Sequence, residues 1–148
     1  MALVPKFNMK HIEAHLKKAE THYTNQIVRV LRIVGEKAVN EAKANGNYQD
    51  RTANLRNSIG YVIAINGNII DENFNASANG TEPNKEDPIK YGKNLAYEVV
   101  KNYGDIVLIV VSGMKYGAFV ESKGYNVLTS AEQLANIEVP RLLKEIKK

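Results

Sequence analysis

Apolar residues at Ile12, Leu16, Ala19, Tyr23, Ile27, Val30, Leu31, Val34, Ala38, Val39 and Ala42 recur at steps of three and four. That spacing keeps them on one face of a helix, and it predicts a helix over residues 9–45. Asn8 is placed to cap its start. Gly46 is placed to stop it, since glycine adopts the left-handed cap conformation without strain. A straight helix of this length would run about 55 Å, longer than a domain of this size is wide. The mismatch leaves two outcomes open: a kink near Thr21–Thr24, or first turns that project towards a partner.

The pattern then breaks. Residues 48–58 are mostly polar and include Arg51 and Arg56. Thr52 can cap a short helical turn, and Leu55 and Ile59, four apart, can dock one face of it on a core. Arg51 and Arg56 then form its exposed part. From Ile59 the spacing shifts to the strand period, with larger residues at 59, 61, 63 and 65. Asn66-Gly67 is a strong hairpin turn signal, so Asn68–Phe74 is read as the returning strand. Residues 75–87 are rich in Gly, Asn, Pro and charge, and read as a mobile loop.

Asp87-Pro88 opens a helix, with aspartate at the cap and proline in the first turn. It is read as running to Tyr103 and ending at Gly104. The unbroken apolar run Ile106–Val111 within the strand 105–112 predicts burial on both faces and a place in the sheet centre. Gly113 breaks that strand. Tyr116–Glu121 can form one or two helical turns, and Tyr125–Leu128 a short strand or extended link. Thr129-Ser130-Ala131-Glu132 has the form of a capping box opening a C-terminal helix with Leu134, Ile137, Leu142, Leu143 and Ile146, which Pro140 should kink or interrupt. The predicted class is α+β: a small, mainly antiparallel sheet with a long N-terminal helix, a middle helix and a C-terminal helix packed on it.

Composition narrows this reading little. The chain has 148 residues, which favours a single domain over residues 1–148, and 44% are hydrophobic. The absence of cysteine excludes disulfides, Cys-based zinc sites and thiol catalysis. No run approaches the length of a membrane helix, and Met1–Lys6 lacks the apolar segment of a signal peptide. The net charge of +4 is modest, with lysines gathered near both ends. It suits loose attraction to phosphate better than sequence reading.

Catalytic patterns are missing. No glycine-rich phosphate loop or Ser-centred elbow occurs. His11 and His15 share a helix face and His22 follows, a spacing that could hold a metal; no third ligand is evident, and solvated helix residues are the preferred reading. Glu121 follows Phe119-Val120 and is the one carboxylate placed for partial burial. Without an acid–base partner it reads as structural, so no enzymatic activity is expected. Tyrosines at 91, 97, 103, 116 and 125 crowd the second half, equally suited to an interface and to half-buried packing.

Two segments together carry a resemblance. Thr52-Ala53-Asn54-Leu55-Arg56-Asn57-Ser58-Ile59 follows a long helix ending at Glu41-Ala42-Lys43-Ala44, and Tyr116-Gly117-Ala118-Phe119-Val120-Glu121 follows a strand late in the chain. In this order the chain resembles the head–tail joining or tail-completion (neck) proteins of long-tailed phages, whose pattern is Thr-Gly-x-Leu-x-x-Ser-Ile and then Tyr-Ala-x-x-Val-Glu. Ala53 stands at that family's glycine, which predicts either a different turn or a negative φ. Residues 66–104 look like an enlarged middle.

The resemblance implies a structural protein that forms a ring of copies in the virion neck. It would be assembled in the host cytoplasm, between portal or head-closure proteins and the tail tube, with no cofactor, no metal and no membrane partner. Loose, non-specific DNA contact would suit a ring around the DNA channel. Thr52, Leu55, Ser58, Ile59, Tyr116, Val120 and Glu121 would be the structural motif residues, and Arg51, Arg56 and Tyr125 the assembly surface. The alternative is a small nucleic-acid-binding module.

Overall fold

The structure is a computed structural model that describes residues 8–146. Its first element is α1 (Met9–Ala44), an unbroken helix of 36 residues, or about 54 Å. Asn8 caps it: its side chain accepts from the Lys10 N–H at 2.9 Å. Of the two outcomes left open, the helix takes projection. From Met9 to Gln26 no residue is buried, whereas Val28, Val30, Leu31, Val34, Gly35, Ala38, Val39 and Ala42 all are. The free part spans about 27 Å and still carries apolar residues, Leu16 at 62% exposure and Tyr23 at 39%.

A short helix α2 (Asn54–Asn57) leads into β1 (Ile59–Ile65), which turns back into β2 (Asn68–Phe74). Asn66 and Gly67 both have positive φ, 50° and 82°, as the tight hairpin requires. Next come α3 (Pro88–Val100), β3 (Ile106–Ser112), α4 (Gly117–Ser122) and α5 (Thr129–Leu143). The sheet is antiparallel with the order β2-β1-β3. Helices cover both faces. Ile59, Tyr61 and Ile63 of β1 with Ile106, Leu108 and Val110 of β3 pack on Leu31, Ala38, Val39 and Ala42 of α1. On the other face, Val62, Ala64, Val107, Ile109 and Val111 pack on Ala96 and Val100 of α3. This is the expected α+β class.

β1, not β3, is the central strand. The apolar run of β3 reports the helices on both its faces; its outer edge has no neighbouring strand among the described residues, and Ile106–Val110 are only half-buried. The helix ends also differ from expectation. Neither Gly46 nor Gly104 has positive φ, and the left-handed residue near the end of α3 is Asp105, with φ 55°. α3 ends at Val100, and Lys101–Tyr103 continue only as a turn. α5 runs through Pro140 to Leu143; the proline lies in the final turn and does not interrupt it.

α5 lies antiparallel against the buried half of α1. Near its start, the Asn126 side-chain amide donates to Asn45 O at 3.1 Å. Further along, Lys37 donates to Glu138 at 2.7 Å. Three further bonds join α1 to the sheet. The Tyr61 hydroxyl and the Asn73 amide both donate to Glu36, at 2.9 and 2.7 Å, and Arg32 pairs with Asp71 at 2.5 Å.

Candidate functional site: the α2–α4 junction

The two segments that carry the resemblance meet in space. A Cβ on Gly117 would lie 3.3 Å from Leu55 Cδ1, and Ser58, fully buried, ties the first segment to Gly113 at the end of the strand that precedes the second. The Ser58 hydroxyl donates to Leu55 O at 2.7 Å, while the Gly113 N–H donates to Ser58 Oγ at 3.0 Å and to Ser58 O at 3.3 Å. Leu55, 1% exposed, packs with Tyr48, Met114 and Val127, and Val120 and Leu128 close over that cluster. Ile59 is fully buried and carries the junction into the sheet core. The first turns of α3 press on the same point: a Cβ on Gly113 would lie 2.2 Å from Gly92 N, and one on Gly92 would lie 2.5 Å from Ser58 O. Glycine is needed at both positions because backbone meets backbone.

Ala53 has φ 60° and ψ 10°. The chain therefore keeps the left-handed turn that a glycine would favour, although the residue is alanine, and a negative φ is ruled out. Thr52 contributes little to the cap, with only a 3.4 Å contact from the Asn54 N–H. Asp50 does more: its carboxylate accepts from Arg56 N–H at 2.8 Å and from Leu55 N–H at 3.4 Å. Asp50 went unnoticed in the sequence, although an aspartate just ahead of a short helix was the available signal.

Glu121 caps α5 from a distance. One carboxylate oxygen accepts from Leu128 N–H at 3.1 Å, Thr129 N–H at 2.9 Å and the Thr129 hydroxyl at 2.5 Å. Burial pushes its pKa up, but these hydrogen bonds outweigh burial and hold it below the usual carboxylate value. The predicted Thr129–Glu132 capping box does not form, because Thr129 already lies inside the helix and residue 128, the cap position, is leucine. Asn126 supplies the remaining acceptor, to Ser130 N–H at 3.0 Å.

Arg56 is half-buried, not the exposed part of the turn expected from the sequence. Its guanidinium donates to Lys43 O at 2.9 Å and Gly46 O at 3.0 Å, capping the carbonyl end of α1, and lies 5.1 Å from the Tyr48 ring centre. Burial raises the Tyr48 pKa to about 12. Arg51 is exposed and lies 3.8 Å from Glu82, and Tyr125 is 46% exposed. Tyr116, 41% exposed, lines a recess of about 260 Å³ with Glu86, Tyr91, Gly113, Met114 and Lys115. Arg51, Arg56 and Glu121 do not line it.

The segment 75–87 is anchored on this junction. Asn57, 6% exposed, accepts from Ser77 and Ala78 N–H at 2.9 and 3.0 Å and donates to Ala78 O at 2.9 Å. Glu82 N–H donates to Arg51 O at 3.0 Å. No local signal marks Asn57, because its partners are some 20 residues away in sequence. His11, His15 and His22 lie on the free part of α1. No group of three or more His, Cys, Asp or Glu suited to a metal occurs among the described residues, and no helix there is long and apolar enough to cross a membrane.

The fold is thus an α+β body around an antiparallel sheet, with a junction where Asp50, Arg56, Ser58 and Glu121 bond to helix ends and backbone, while the Tyr48 hydroxyl and Asn54 Oδ1 are buried without a partner among the described residues. No family model, no curated protein and no solved structure matches the chain.

Proposed function

We propose that the protein is a structural component of a phage head–tail junction, acting as a ring of copies between portal or head-closure proteins and the tail tube. The observation that carries this reading is the union of the two resembling segments in one unit, where Gly117 approaches Leu55 and Val120 closes over the Leu55 cluster. The projecting half of α1 supports the same reading, since it offers a partner an apolar stripe at Leu16 and Tyr23. Lys10, Lys17 and Lys18 on that arm suit loose contact with DNA phosphates. The reading assigns the protein no catalytic step and no cofactor.

The test is deletion of the gene from the phage or prophage that carries it, followed by electron microscopy of the lysate. Filled heads and separate tails, rejoined when the purified protein is added back, are the expected result. Normal virions from the deletion, or a gene with no portal, capsid or tail genes beside it, would sink the proposal.

A further inference from the structure

The two edges of the sheet are built differently. β2 pairs with β1 through a register shift at Ile63/Ala64 and carries Asp71 and Glu72. Bulges and charges of this kind keep an edge from pairing with another strand. β3 has neither device: Ile106–Ser112 contains no charge, no proline and no register shift.

The hydrogen bonds at the ends of the β1–β3 ladder identify the free groups of β3. Asn66 N–H donates to Asp105 O at 2.8 Å, and Gly113 N–H donates to Ser58 O at 3.3 Å. Both pairs are therefore of the hydrogen-bonded kind, and such pairs alternate along an antiparallel ladder. Val107, Ile109 and Val111 then bond inward, opposite Ala64, Val62 and Gly60. The backbone N–H and C=O groups of Ile106, Leu108, Val110 and Ser112 point away from the sheet. Beside them, Val99 and Tyr103 form a recess of about 320 Å³ with Val107–Val110.

We propose that β3 pairs antiparallel with β3 of a second copy, giving a twofold dimer with one continuous sheet of order β2-β1-β3-β3-β1-β2. The strand itself selects this occupant. An uncharged strand meets no like charge when it faces itself. One register uses every outward residue: Ile106 opposite Ser112 of the partner subunit, and Leu108 opposite Val110 of the partner subunit. β2 is a poor occupant because its bulge and acidic pair match nothing on β3. The pairing goes beyond the neck reading and is independent of it. A twofold contact uses the same patch on both copies, whereas a ring contact is head-to-tail, so the pair describes the free protein before assembly.

Sedimentation velocity of the wild type from about 1 to about 500 µM, a range that brackets micromolar pairing, is the first measurement. The expected result is a shift from monomer to dimer that stops there. A monomer throughout, or an open series beyond the dimer, overturns the proposal. Leu108→Pro removes an N–H that has no partner among the described residues, as edge positions tolerate. It should fold, by circular dichroism, and remain monomeric; a folded variant that still dimerises overturns the proposal. If that variant does not fold, amide exchange of the wild type decides. Protection of Ile106, Leu108, Val110 and Ser112 should rise with concentration while that of Val107, Ile109 and Val111 stays constant, and an absence of that alternation overturns the proposal.

Discussion

Single residues at the junction hold helix ends and turns. Ala53 sits in the left-handed region at φ 60°, which costs a residue with a Cβ about 1–2 kcal/mol. Ala53→Gly relieves that cost and gives back part of it as unfolded-chain entropy, so the variant should gain up to about 1 kcal/mol in urea unfolding. Glu121 and Glu132 make a sharper pair. Glu121 caps α5 through Leu128 and Thr129, so Glu121→Ala should cost about 1–2 kcal/mol. Glu132→Ala should cost under about 0.5 kcal/mol, as a surface change does. Equal losses in the two variants would mean that the local capping box forms after all. Arg56→Ala should lower stability by about 1–2 kcal/mol by uncapping α1 and baring Tyr48, and unchanged urea unfolding would contradict that role.

Among the elements, α1 is divided by function along its length. Its buried half holds the sheet and α5; its free half touches little. Deleting residues before Ala19 should therefore leave the unfolding temperature within about 2–4 °C of wild type, the shift expected for under about 1 kcal/mol. Under the neck reading, the same deletion should abolish head–tail joining. A large drop in the unfolding temperature would show that the arm stabilises the fold. The exposed face of α1 was legible from the sequence as far as its length and period. The choice between kink and projection was not, because both satisfy a period of 3.6; packing against α5 and β1 settles it.

At the scale of the whole molecule, several carboxylates are held in their charged form by the fold. The Tyr97 hydroxyl, and then Lys93 against the opposing effect of burial, lower the Glu72 pKa. For Glu121, Thr129 and backbone N–H groups overcome burial. Arg141, and then Lys37, hold Glu138 at about 2, against an unperturbed value of 4.5. A carboxylate depressed in the folded state adds stability that is complete above its unfolded pKa and lost as pH falls through its folded pKa. Stability should thus be flat above about pH 5 and fall on acidification from 4.5 towards 2. Glu138→Gln should make that acid limb shallower in urea unfolding followed across pH; an unchanged limb would remove Glu138 as a contributor. At the alkaline end, Tyr48 is raised from 10 to about 12, so its contribution is complete below 10 and lost as pH rises through 12.

The sequence by itself determined what depends on near neighbours. The period of α1, the Asn66-Gly67 hairpin, the Asp87-Pro88 helix start and the α+β class all rest on contacts within a turn or between adjacent strands. It also placed Leu55 and Ile59 in the core, since their spacing fits one docked face. Only the tertiary structure decided the strand order, because an apolar run such as Ile106–Val111 records cover on both faces and does not record how many strands lie beside it. The caps were settled in the same way. Asp50, Arg56, Glu121 and Asn126 satisfy helix-end groups between four and 81 residues away; Asp50 left a local signal, whereas a bond closed across the fold, such as Asn126 to Asn45, leaves no periodic trace in the chain.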